Sequence, residues 1–355
     1  MPNRRAGRFD WPWECFAAAL VFVFGLTLAA AENTDALYGE NGVSPQAVRQ
    51  GVLGSCYFHA SIASLAQSTP ETLRNSISAT PGGGYQVRFF DGPAEQVFAE
   101  DVEYGRAHGY DSSEGKWVLV LMRAYAQRTV RLSLVNSIQQ SPLIPAIVKP
   151  IALSWLDQSS LLLVAYDRTI RSVIQQDGVL DKAALKIKLA DQLKALGVPE
   201  MQAGMLGGFL DEQGLFDALA LTVRQNGEVF GDYKGLGQGG IPERVMQAFL
   251  GHAGTAMVAG DRQLPERLLQ LHSGTLAMVS STWDKVPGED FPEGRADWWV
   301  PNHAYSVLDF DPASQTVRLR NPWGRRPGPD GTFKLPLAIF LRAYQIYFHA
   351  ESGAP

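Results

Sequence analysis

Three residues stand in settings that suit thiol chemistry: Cys56 in QGVLGSCYFHASIASLAQ (50–67), His303 in NHAYSVLDF (302–310) and Asn321 in RLRNPWG (318–324). A thiolate, not a thiol, is the nucleophile, and it needs a base to take its proton. An imidazole can do this and then stabilise the thiolate as imidazolium. An asparagine amide can hold the ring without adding charge. Gln50, six residues before the cysteine, could aim its side-chain amide across the turn at the oxygen where negative charge develops.

These residues need elements to position them. Gly54 and Ser55 make a turn, and the apolar and small residues after Cys56 predict a buried helix with the cysteine at its N-terminus. Unpaired amides and the positive end of the helix dipole there favour an anion, so the thiol is expected to ionise readily. The ordinary alternative is a cysteine that packs as a small hydrophobe. His303 to Phe310 and Thr316 to Asn321 read as two strands of a hairpin joined by Asp311 to Gln315. Pairing Phe310 with Thr316 sets Tyr305 opposite Asn321 and makes His303 and Asn321 diagonal neighbours on one face, with backbones about 7 Å apart. A one-residue slip would separate them onto opposite faces.

The chain has 355 residues, 46% hydrophobic and 19% charged, which predicts a globular protein with a sizeable core. A formal charge of -5 and the lack of a Lys/Arg-rich block give no indication of nucleic acid or an anionic membrane as partner. Residues 1–31 have Arg4, Arg5 and Arg8, an uncharged apolar run, then Ala29-Ala30-Ala31, the pattern of a secretory signal peptide. Export to the periplasm or the extracellular space is the expectation, with an uncleaved N-terminal anchor as the alternative. Cleavage would leave Cys56 as the one cysteine, so no intramolecular disulfide could form.

Along the chain the pattern is α+β. After the Cys56 helix come a short helix behind Pro70, a strand over 85–90 with a partner over 97–102, and a buried helix over 117–127. Residues 128–234 read as an inserted helical subdomain. Asp181 is its expected N-cap, Leu185, Leu189, Leu193 and Leu196 share a face, and Gly197 and Pro199 end that helix; a second is expected over 212–225. The glycines of 235–240 lack the lysine and hydroxyl residue of a phosphate loop and read as a turn before a helix over 242–250. A strand over 274–281 precedes the hairpin. Residues 32–255 are thus expected to form an N-terminal lobe with the cysteine, and 256–355 a strand-rich lobe with the histidine and asparagine.

The ordered cysteine, histidine and asparagine blocks resemble those of the calpain family of cysteine proteases, which have a papain-like, two-lobed fold. Weaker similarity covers WVLVLMRAYAQ, GGIPERVMQAFLG and DGTFKLPLAIFLRAY, so the resemblance runs from about Tyr38 to His349 with 128–234 outside it. It implies Cys56 as nucleophile, His303 as base and acid, Asn321 as orienting residue and Gln50 as oxyanion donor, with Gly54, Ser55, Gly240, Asn302 and Trp323 lining the substrate site. In the family this tryptophan shields the hydrogen bond between asparagine and histidine.

The departures are specific. Ser55 and Tyr57 replace the Asp and Trp that usually flank the cysteine, and Asn302 replaces the Gly before the histidine; Asn tolerates a positive φ best after Gly. His59 is unusual beside the nucleophile and is expected to pack or face solvent. Arg325, Arg326 and Thr332 replace acidic residues of a calcium loop, of which Asp330 alone survives. The expectation is an endopeptidase acting on protein or peptide substrates, with no required cofactor and calcium left open. Acyl transfer on the same fold, or a catalytically silent binding module, are the alternatives; oligomeric state is not legible.

Overall fold

The computed structural model describes residues 37–140, 146, 149–150, 153, 169, 181–195, 200–201, 233–254, 256–283 and 298–351. The expected leader, Leu196, Gly197, Pro199 and the helix expected over 212–225 lie outside them.

Cys56–Ser68 forms the helix α1, and every residue from Tyr57 to Ala66 is buried, as its apolar and small side chains require. Pro70–Ser76 follows as α2, with Pro70 in the first turn where its missing N–H is harmless. Strands β1 (Ile77–Ala79), β2 (Tyr85–Val87) and β3 (Glu95–Val97) form a small antiparallel sheet in that order. The strand expected over 97–102 stops at Val97, and Ala99–Ala107 is a helix, α3. Glu100 and Asp101 in its first turn complement the helix dipole.

Helix α4 (Trp117–Gln140) crosses position 128, where the insertion was expected to begin, without a break. Arg128 and Arg131 tie it back to the small sheet through Asp91 at 2.6 Å and Glu95 at 2.8 Å. In α5 (Lys182–Ala195), Asp181 accepts from the Ala184 amide at 3.0 Å, and Leu185, Leu189 and Leu193 are buried, as expected from the sequence. A single turn, α6 (Tyr233–Leu236), precedes α7 (Pro242–Leu250), which ends at Gly251 in the left-handed conformation.

The second sheet is antiparallel, and its six strands are β4 (Met257–Val258), β5 (Leu276–Ser281), β6 (Ala304–Asp311), β7 (Thr316–Arg320), β8 (Thr332–Pro336) and β9 (Ile346–Glu351), in the order β4-β9-β5-β6-β7-β8. The fold is α+β. Alternation along the strands divides the core: Ala277, Val279 and Ala304 join the core that contains α1, whereas Leu276, Met278, Tyr305 and Val307 join a second core. That second core takes Leu264, Leu268 and Leu271 from α8 (Leu264–His272) and Phe340 from α9 (Leu337–Ala343). Among the described residues no helix is long and apolar enough to cross a membrane.

The β6–β7 register differs from expectation at the hairpin end and agrees at the other. Phe310 pairs with Val317, one residue off, but an irregularity between Val307 and Asp309 absorbs the slip, so Val307 faces Leu319 and Ser306 faces Arg320. Continuing that ladder brings Tyr305 opposite Asn321. The bulge therefore puts His303 and Asn321 on a common face.

Two buried hydroxyls fasten α1 to this sheet: Ser64 Oγ donates to the Met278 carbonyl at 2.6 Å, and Ser306 Oγ to the Ala60 carbonyl at 2.9 Å. Ser64→Ala and Ser306→Ala should each lower the unfolding free energy by about 1 kcal/mol in urea titrations. A loss below the error of the titration in both would show that α1 is held by apolar packing alone.

Candidate functional site

His303 lies just before β6, and Thr282, just after β5, fixes its backbone. The Thr282 hydroxyl accepts the His303 amide at 3.0 Å and donates to the Val300 carbonyl at 2.5 Å, and the Thr282 amide donates to the His303 carbonyl at 2.9 Å. Asn302 has a φ of 51°, the left-handed conformation expected of the residue in the glycine position, and is exposed. The imidazole is buried.

Nε2 of His303 lies 3.0 Å from Asn321 Oδ1, and the same oxygen accepts the Trp323 backbone amide at 3.0 Å. A backbone N–H can only donate, so the asparagine must present its oxygen here. Nε2 of the histidine therefore carries the proton, and the lone pair of the neutral ring is on Nδ1. The indole of Trp323 lies over the imidazole with ring centroids 4.9 Å apart, and Tyr305 meets it edge-on at 5.0 Å. Both limit water's access to the hydrogen bond.

Cys56 opens α1 and is partly buried. The backbone amides of Ala304, Tyr57 and Cys56 itself approach its sulfur. Those of Tyr57 and Cys56 belong to the helix N-terminus, as expected; that of Ala304 belongs to the residue after His303. Among the described residues no hydrogen bond joins the sulfur to the imidazole.

Electrostatics here oppose the sequence-based expectation of an easily ionised thiol. Burial pushes the Cys56 thiol up, outweighing the three amides, and burial brings His303 down to about 4, against the hydrogen bond to Asn321. A lone charge on either group is poorly solvated, and thiolate and imidazolium become favourable only as a pair.

Gln50 ties distant segments together through its backbone: its amide donates to the Pro322 carbonyl at 2.8 Å, and it bridges to Asp111. Its Nε2 donates to the Leu53 carbonyl at 2.5 Å within its own loop, which occupies one of its two N–H groups. Gly54 is exposed and presses on the Gly237 carbonyl so closely that a Cβ would lie 2.4 Å from that oxygen. Gly240 faces the Tyr57 ring, 2.4 Å from where its Cβ would be, so its lack of a side chain serves packing. Ser55 is fully buried, and its hydroxyl turns inward to His59 Nδ1 at 3.2 Å. His59 is likewise fully buried, which excludes the solvent-facing option.

Three contributors went unnoticed in the sequence. Thr282 carries no motif, and neither does the Ala304 amide. Arg320 stands inside the asparagine block, where its burial could have been suspected: its Nη2 donates to the Val48 carbonyl at 2.6 Å, and burial lowers it to about 10. In the segment after Asn321, Arg325 and Arg326 are exposed, and Asp330 accepts from the amide and the hydroxyl of Thr332 at 3.0 Å.

No family model matches the chain, and no curated protein matches it. A solved structure described as PepW from Lactobacillus rhamnosis HN001 is similar at 12% identity over 95% of this chain and 88% of that one, with a TM-score of 0.29. At that level the functional reading rests on this chain's own geometry.

Burial of His303 makes stability depend on pH. The unfolded chain binds the proton near 6.5 and the folded chain only near 4, so between these values the unfolded state binds more protons and stability falls as pH drops. From pH 7 to pH 4 this residue should remove about 3 kcal/mol of stability. In urea titrations the advantage of wild type over His303→Gln should shrink by that amount across the window; an unchanged difference would mean that the ring is already solvated in the fold.

Proposed function

We propose that the chain is a papain-like thiol endopeptidase of the calpain type, with Cys56 as nucleophile, His303 as base and acid, Asn321 as orienting residue and the cleft between two lobes as its site. The observation that carries this is the doubly engaged Asn321 oxygen: with Nε2 of His303 committed to it, Nδ1 is the nitrogen left for the sulfur. The approach of the Ala304 amide to that sulfur supports the same assignment.

In the proposed reaction the Cys56 proton passes to His303 Nδ1 as the sulfur attacks a peptide carbonyl. The oxyanion is held by the Cys56 amide and by the N–H of Gln50 not used by Leu53. The tetrahedral intermediate breaks its C–N bond as Nδ1 returns the proton to the leaving amine, and a thioester remains. Water then attacks the thioester and gives its proton to Nδ1; collapse releases the acid and restores the thiol. Protein or peptide substrates, no required cofactor and an exported location belong to the same proposal. A second reading, a catalytically silent cleft, is favoured by the missing hydrogen bond between sulfur and imidazole.

Cleavage of an unfolded protein separates them. Wild type should cleave both with calcium and with chelator, Cys56→Ala should not, and His303→Ala should be slower by roughly 10²–10⁴-fold. Equal cleavage by Cys56→Ala would overturn the proposal. A folded wild type that neither cleaves nor reacts at Cys56 with an epoxide inhibitor would establish the silent cleft.

A further inference from the structure

The helix that Cys56 opens carries a second histidine, fully buried and unused by the proposed reaction. His59 stands three residues after Cys56 on α1; its Nε2 lies 3.0 Å from Asp111 Oδ1, whose side chain is 4% exposed, and Ser113 donates to the same oxygen at 2.6 Å. Its Nδ1 lies 3.2 Å from Ser55 Oγ and 3.0 Å from the Ser55 carbonyl oxygen. The chain Ser113, Asp111, His59, Ser55 thus runs from the loop beside Gln50 to the residue before the cysteine.

Ser55 occupies the N-cap of α1, where a serine ordinarily turns its oxygen over the helix and accepts one of the first free amides. Here it makes no such bond. If Nδ1 is bare, the hydroxyl donates to it; if Nδ1 is protonated, the hydroxyl and the carbonyl share its proton. Either way the hydroxyl is turned from the helix end; the Phe58 amide is taken by the Ser55 carbonyl at 3.1 Å, and the Tyr57 amide, which a capping hydroxyl could take, approaches the sulfur. Asp111 holds the ring in place through Nε2, while its backbone bridges to Gln50.

We propose that Ser55, His59 and Asp111 form a buried positioning relay that keeps the Ser55 hydroxyl from capping α1, reserving the Tyr57 amide for the Cys56 thiolate. His59 and Asp111 are positioning residues: neither touches the reacting atoms. The proposal deepens the protease reading and rests on Cys56 being its nucleophile.

The test is the second-order rate of Cys56 alkylation by iodoacetamide at pH 6 in the full chain, followed by mass spectrometry of the Cys56 peptide. His59→Leu with Asp111→Asn leaves no unpaired buried carboxylate and frees the Ser55 hydroxyl to cap the helix. Alkylation should slow roughly tenfold. Adding Ser55→Ala removes the capping oxygen and should restore the rate to within about twofold of wild type, a rescue that general loosening of the fold would not give. An unchanged rate in the folded double variant, or a slowed rate that Ser55→Ala leaves slow, overturns the relay. Should the double variant not fold, Asp111→Asn alone carries the same test, with a loss of about threefold and the same rescue expected. The protease reading fails separately, if His303→Ala alkylates at the wild-type rate.

Discussion

One oxygen sets the chemistry of this site. Asn321 Oδ1 accepts from an obligate donor, the Trp323 amide, and that contact decides how the asparagine faces, which nitrogen of His303 holds a proton and which holds the lone pair. The rest of the sheet serves to bring this oxygen and that ring together. The irregularity between Val307 and Asp309 corrects the hairpin register, Thr282 anchors the His303 backbone, and Trp323 and Tyr305 cover the contact.

Two segments far apart in sequence are joined at the same place. Gln50 and Val48 come from the segment before the cysteine, and both bond to the segment that carries the asparagine: Gln50 through its amide to Pro322, Val48 through its carbonyl to Arg320. Arg320 is fully buried, a costly setting for a guanidinium, with the charge of Asp330 in its favour and that of Arg49 against it. These bonds make the position of the segment around Gln50 depend on the segment that carries Asn321. Burial of the thiol and the imidazole then favours the uncharged pair at rest, so that in the proposed reaction both charges arise together when the proton moves.

Much of this was legible in the sequence because it is written in local patterns. The cysteine helix, the helix over 242–250 and the two strands of the hairpin follow from apolar periodicity and turn residues, and Asn302 was marked by its glycine-like position. The errors arose where distant residues decide the outcome. The 97–102 segment carries enough apolar residues to look like a strand, but its acidic first turn and its neighbours make a helix from Ala99. The helix expected over 117–127 runs on to Gln140, with Arg128 and Arg131 paired to Asp91, between β2 and β3, and to Glu95 of β3. The partner of the Ser55 hydroxyl is His59, whose other ring nitrogen meets Asp111, 52 residues away in sequence in a polar loop without a motif.

The most direct measurement is the ¹⁵N spectrum of the His303 ring at neutral pH, assigned by its loss in His303→Gln. The account predicts a neutral ring with its proton on Nε2 and an unprotonated Nδ1, the tautomer that Asn321 and Trp323 impose. A ring protonated on Nδ1 would turn the lone pair towards the asparagine and away from the sulfur, and would contradict the account at its base.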